Sequence, residues 1–269
     1  MDFKPTKKMT KKQFWNQLTL FITALLLITL TREYFSHKLI ESGIESYQTH
    51  IFLSIGANLI LILVSYFFIQ KNGLTKIAGI KGTRLNKWYL LIFPLVYLVL
   101  LNGLYMDDPN MDLLLPNVGL LIIYAISIGF AEELSIRGFL QSHLINHFGK
   151  TKSNIILSVL ASALFFGFIH LIKFDKGIYG ELSQVFFATF IGVMFGFLLV
   201  ITKRIYPLII IHAIIDFVAK LDSTGVPIKQ KIVEPTSVEN AVLTTLLVLP
   251  CLIYGIFLMK KYRLIERAE

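Results

Sequence analysis

Three stretches of the chain place ionisable side chains inside otherwise apolar sequence: Glu132, Glu133 and Arg137 in AEELSIRGFL, His170 in FFGFIHL, and His212 with Asp216 in IHAIIDF. A carboxylate in a low-dielectric cavity is suited to general acid–base work near neutral pH. A neutral imidazole beside it can help to hold and activate one water, directly or through a metal. On a helix, Glu133 and Arg137 stand four residues apart on one face and suit an ion pair, whereas Glu132 is rotated from Glu133 by about 100° and lacks a local partner. His212 and Asp216 have the same spacing. That pair could serve a developing oxyanion, with Asp216 fixing the tautomer of His212, or complete a metal shell.

Each stretch alone has a plain structural reading. EELSIR can be a solvated helix end, His170 a hydrogen-bonded packing residue, and His212–Asp216 an internal hydrogen bond. Taken together they are harder to dismiss, because each charge costs about 2.5 to 3.5 kcal/mol near the centre of a membrane helix. On the boundaries expected below, Glu132, Glu133 and Asp216 are the carboxylates that fall inside spans, Asp216 sharing its span with His212 while His170 lies in the span between them. One shared polar site is the economical explanation.

The elements that must position this site are membrane helices. Of the 269 residues 55% are hydrophobic, mean hydropathy is +0.68, and apolar runs of helix-spanning length recur from end to end. The runs predict eight helices near residues 14–31, 51–70, 87–105, 115–134, 154–172, 183–201, 205–220 and 241–259. The expected fold is all-α, a single polytopic transmembrane domain over residues 1–269. Most of the 26 Lys and Arg then fall in connectors on the side of the amino terminus, so the positive-inside rule puts both termini in the cytoplasm. The same rule accounts for the net charge of +9, and no aromatic-basic module suggests a nucleic-acid partner. The lysine-rich start leads into an apolar run without a small-residue cleavage signal, which reads as an uncleaved first span. The single cysteine, Cys251, excludes an intramolecular disulfide and reads as a small buried apolar residue. Gly192 and Gly196 form a GxxxG that permits close helix approach within the bundle. His143 and His147, also four apart, read as a solvated interfacial face.

Glu132-Glu133-x-x-x-Arg137, Phe166-x-x-x-His170 and His212-x-x-x-Asp216, in that order on successive helices, resemble the three signature motifs of the CPBP family of intramembrane proteases, which includes the CAAX prenyl endopeptidase and the bacterial Abi-type proteins. The resemblance covers residues 115–220. It implies hydrolysis of a membrane-associated peptide or protein, with Glu132 and His170 activating the attacking water. It further implies that His212 and Asp216 stabilise the oxyanion while Glu133 and Arg137 support the site. The prenyl endopeptidase has Asn at the position of Asp216, so a neutral-amide role is closed to this chain. HExxH is absent, but Glu132, His170, His212 and Asp216 are enough ligands for Zn²⁺ or another divalent metal.

Two further functions compete with the protease. A transporter or channel could relay protons or ions through these groups, although no related halves are evident in the sequence. A noncatalytic immunity factor could bind a peptide in the same cavity. Charge and composition resemble a multi-pass protein of a bacterial cell membrane, which points away from prenylated substrates and toward a signalling, leader or bacteriocin peptide. The partners expected are therefore membrane lipid and a peptide or protein substrate; oligomeric state is open. One geometric obstacle stands in the way of a shared site. With a fourth span ending at residue 134, Glu132 and His170 lie at depths differing by roughly 15 to 20 Å.

Overall fold

The computed structural model describes residues 9–82, 84–149, 151–173, 176–229 and 235–265, and among them every regular element is helical. Eight apolar helical segments are present, as the hydropathy pattern predicts, and six are long and apolar enough to cross a membrane. The chain is an all-α polytopic membrane protein. In order, the helices are α1 (Lys11–Glu41), α2 (Tyr47–Lys71), α3 (Ile92–Leu104, entered through a 3₁₀ turn at Trp88–Leu91), α4 (Met111–Glu132), α5 (Ser142–Phe148), α6 (Lys152–Ile169, followed by a 3₁₀ turn at His170–Ile172), α7 (Gly177–Thr202), α8 (Tyr206–Ala219) and α9 (Val238–Ile265). The two short apolar helices are α3 with its 3₁₀ turn, and α8.

Polar caps set where several spans begin. Thr10 and Gln13 form a reciprocal capping box on α1, Asn110 accepts from the first turn of α4, and Thr151 accepts from Asn154 N at the start of α6. Between caps the helices sort by what surrounds them. In α7, 78% of the most apolar window is inside the protein, against 22–44% in the other five long spans. A helix that is apolar all round belongs in the middle of a bundle, and Ile191–Thr202 of α7 is buried without a break. The outer helices instead expose large apolar side chains such as Leu63, Leu157 and Ile253, a surface suited to hydrocarbon rather than water.

Glycines decide which helices touch most closely. Gly192 lies against Ala163 and Gly196 against Val159 and Gln141, so the GxxxG of α7 packs on α6 and on the segment before α5. Cys251 is free and buried, the apolar role its surroundings suggest.

The segment joining α4 to α5 departs from expectation. Residues Glu133–Gln141 form a π-helix, every residue of it buried, so that Met111–Phe148 runs as one helical stretch of 38 residues. The fourth span therefore does not end at residue 134. This removes the depth obstacle: counted from the turn between Phe148 and Lys152, Glu132 lies 16 residues back and His170 18 residues on, about 24 and 27 Å at 1.5 Å per residue. The two groups face one level of the bundle. The expectation of a solvated face at His143 and His147 also fails. His143 is fully buried, both rings stack on Phe14 of α1, and a ring nitrogen of His143 lies 3.2 Å from the Phe14 carbonyl. These histidines fasten α1 to α5.

Candidate active site

The close approach of α4 and α8 builds the centre of the site. Gly129 has so little clearance that a Cβ there would lie 2.7 Å from the Ile209 carbonyl and 3.1 Å from the Ala213 nitrogen. One turn further on, this contact delivers Glu133 to His212 of α8. Glu133 Oε1 accepts from Arg137 Nη1 at 2.9 Å and from His212 Nδ1 at 2.9 Å. Glu133 and Arg137 are 0% and 1% exposed, so EELSIR is an interior motif and not a solvated helix end. The Arg137 guanidinium is sandwiched between rings, 4.7 Å from the centroid of Phe166 and 5.5 Å from that of Phe195. A carboxylate that bridges a guanidinium and an imidazole fixes both.

That bridge corrects one expectation. The group that holds the tautomer of His212 is Glu133, not Asp216, because the carboxylate on Nδ1 must accept and so keeps a proton there. Asp216 lies on the other side of the ring, with Oδ2 3.9 Å from His212 Nε2, and that oxygen is buried without a hydrogen-bond partner among the described residues. Glu132 Oε2 lies 3.4 Å from the same Nε2, and the Glu132 side chain is one-third exposed to the interior space. The two adjacent glutamates therefore divide as their rotation on a helix predicts: one is locked in the wall, the other is open.

His170 ends α6, where the helix tightens into its 3₁₀ turn. Its Nδ1 donates to the Phe166 carbonyl at 2.7 Å, since a carbonyl can only accept, and Nε2 is left for other work. The close packing behind it comes from Gly167, where a Cβ would lie 2.1 Å from Thr189 Oγ1 of α7.

Glu132, His170, His212 and Asp216 all line one cavity of about 290 Å³ bounded mainly by α2, α4, α7, α8 and the end of α6, with Arg32 of α1 and Leu98 of α3 also in its wall. A second cavity of about 200 Å³ lies toward α1 and shares the walls formed by Arg32, Asn58, Glu132, Phe166 and His170. Glu132 and His170 thus stand where two chambers meet. Every site residue expected from the three motifs is brought to these chambers or to the wall behind them.

Several lining residues escape the sequence reasoning. Arg32 and Glu33 read as outer-loop charges after a span ending at residue 31, but α1 runs to Glu41 and carries both, paired with each other, into the cavity wall. Asn58 of α2 was open to discovery, because a polar amide in the run LSIGANLILIL is as unusual as a charge; it donates to Ser127 Oγ of α4 at 2.9 Å. Glu181 is another buried carboxylate, in the first turns of α7, where it accepts from the Lys176 backbone N–H. Buried carboxylates are therefore more numerous than the apolar runs suggest.

The same geometry weighs against the expected metal set. Among the described residues no three of His, Cys, Asp and Glu come together in a group that could hold a metal ion. His212 gives Nδ1 to Glu133 and His170 gives Nδ1 to a backbone carbonyl, which leaves one nitrogen of each ring for the cavity and by itself neither favours nor opposes a metal. The four residues Glu132, His170, His212 and Asp216 do not fit a closed metal shell as arranged.

A buried site of paired carboxylates and histidines inside an apolar helical bundle defines a class, the polytopic membrane proteins with an intramembrane polar centre. Residues 114–218 match the family model described as type II CAAX prenyl endopeptidase Rce1-like, a similarity that supports assignment of this part of the chain to the CPBP/CAAX protease family. The match begins in α4 and ends in α8, and so contains all three motifs. No curated protein and no solved structure matches the chain.

Proposed function

We propose that this protein is an intramembrane endopeptidase that hydrolyses a peptide bond with a water activated by Glu132 and His170. The observation that carries the reading is the convergence of Glu132, His170, His212 and Asp216 on one cavity. Glu132 is the general base: it is the open carboxylate, and its neighbour Glu133 is already engaged by Arg137 and His212. With Nδ1–H given to Phe166, His170 offers the Nε2 lone pair to the second hydrogen of the same water.

Attack proceeds in balanced steps. The water oxygen bonds to the scissile carbonyl carbon while its proton passes to Glu132, and the carbonyl oxygen becomes an oxyanion. Glu132 returns the proton to the amide nitrogen, the C–N bond breaks as the oxyanion re-forms the carbonyl, and a carboxylic acid and an amine result; the acid then passes its proton to the amine, giving a carboxylate and an ammonium. His212, held as the doubly protonated imidazolium among the Glu132, Glu133 and Asp216 carboxylates, keeps Nδ1–H on Glu133 and presents Nε2–H toward the cavity as a donor to the oxyanion. The proposed substrate is a membrane-associated peptide entering between helices, in keeping with a site enclosed by apolar spans.

The test uses full-length protein purified in detergent micelles. It is incubated with a mass-coded peptide library, with and without an S-alkyl chain, and new termini are read by mass spectrometry. Glu132→Gln and His170→Ala are expected to slow cleavage by about 10²–10⁴-fold, the usual contribution of a positioned acid or base. Cleavage by Glu132→Gln at the wild-type rate would overturn the role of Glu132. Peptide binding with no cleavage by wild type would favour a noncatalytic immunity factor.

A further inference from the structure

Asp216 leaves a chemical difficulty that the proposed mechanism does not resolve. A carboxylate has no proton to give an oxyanion, and a second negative charge beside it opposes the step that His212 assists. The cavity contains a group that answers this. Lys220 follows Asp216 by four residues, on the same face of the end of α8, and lines the chamber with Glu132, His170, His212 and Asp216. It is within electrostatic reach of both Asp216 and Glu132, yet it makes no ion pair within 4 Å with any described residue. Its Nζ stands 5.9 Å from the ring centroid of Tyr124 on α4, which holds the ammonium over the chamber. An unpartnered buried oxygen of Asp216 and an uncommitted ammonium therefore face one space.

We propose that Lys220 is a catalytic residue of this site, whose ammonium binds the oxyanion of the tetrahedral intermediate and offsets the charge of Asp216. This rests on the peptidase reading above. The ammonium supplies what an amide at position 216 would otherwise provide, a hydrogen-bond donor, and adds a positive charge in a low-dielectric chamber where such a charge acts strongly. Asp216 in turn holds Lys220 toward the chamber and away from lipid, so the two residues act as a unit.

The experiment compares wild type, Lys220→Met, Lys220→Arg and Glu132→Gln as full-length proteins in detergent. It uses a peptide found by the library cleavage assay and a phosphinate analogue of that peptide, whose tetrahedral anion mimics the intermediate. Lys220→Met is expected to lower kcat by about 10²–10³-fold, the range for loss of one oxyanion donor, while KM changes less than about threefold. Phosphinate affinity should fall by a similar factor, while affinity for the intact peptide, measured in the Glu132→Gln background, is unchanged. Lys220→Arg keeps the cation and should retain more activity than Lys220→Met. Near-wild-type kcat in Lys220→Met would overturn this assignment alone, as would equal loss of phosphinate and intact-peptide binding, which is the result of a merely structural role. Absence of any Glu132-dependent cleavage by wild type would overturn the peptidase reading, and the role of Lys220 with it.

Discussion

Glu133 and Arg137 form an ion pair almost wholly shut off from solvent, and the same carboxylate oxygen holds His212. Removing one partner of such a pair leaves an uncompensated charge inside the protein, which costs about 3–5 kcal/mol, whereas replacing both by apolar groups is often nearly neutral. Arg137→Met is therefore expected to lower the midpoint of thermal unfolding in detergent sharply. Glu133→Leu combined with Arg137→Met should restore much of that stability but no activity, because His212 has lost its orienting carboxylate. Full activity in the double variant would show that Glu133 does not position His212. The identities of these residues were legible in the sequence, since charges in apolar runs are hard to explain otherwise. Their pairing was only half legible. Spacing of four residues announces Glu133–Arg137, but the Glu133–His212 contact joins positions 79 apart and is decided by how α4 packs on α8.

Helix packing explains the rest of what pattern alone could not supply. A hydropathy run shows that a span exists, but it places the end of that span where apolar residues stop, and α4 instead continues through the buried polar π-helix to α5. The same cause hid Arg32, because α1 extends a further ten residues past its apolar run to Glu41. π-helical segments occur often at functional sites, and this one follows Glu132 directly. The α4–α8 contact gives a test confined to one helix. Gly129 has an Ile209 carbonyl 2.7 Å from where a Cβ would stand, while Gly119, less than three turns earlier, has nothing within 4 Å. Gly129→Ala should force the helices apart, costing about 1–3 kcal/mol as overpacking, and should cut peptide cleavage by at least about tenfold as His212 leaves Glu133. Gly119→Ala should be neutral or slightly stabilising, since Ala is the better helix former by roughly 0.5–1 kcal/mol. Equal effects of the two substitutions on cleavage and unfolding would show that the close approach at Gly129 does not set the site.

At the scale of the whole molecule, contacts between connectors sort the bundle into two ends. At one end Ile205 N–H donates to Gly79, Arg204 donates to Gly82, Lys261 reaches Tyr89, and Phe14 stacks on His143. At the other, Ile228 N–H donates to Glu45, Thr236 N–H donates to Lys176, and Gln48 donates to Asn117. This is the grouping that eight alternating crossings require, so α3 and α8 traverse the bundle despite their shortness. The first end gathers Lys76, Lys81, Lys87, Lys203 and Arg204, and the opposite end carries Asp107, Asp108 and Asp112. Basic connectors are retained on the cytoplasmic side during insertion, which makes the first end, where α1 begins and α9 ends, the proposed cytoplasmic one. Replacing Cys251 by Ser gives a cysteine-free background in which Lys81→Cys and Asp107→Cys can each be probed with a membrane-impermeant maleimide. Asp107→Cys should label in intact cells and Lys81→Cys only after permeabilisation. The reverse pattern would invert the protein in the membrane, and labelling of both from outside would break the eight-crossing arrangement that brings Glu132 and His170 to one depth.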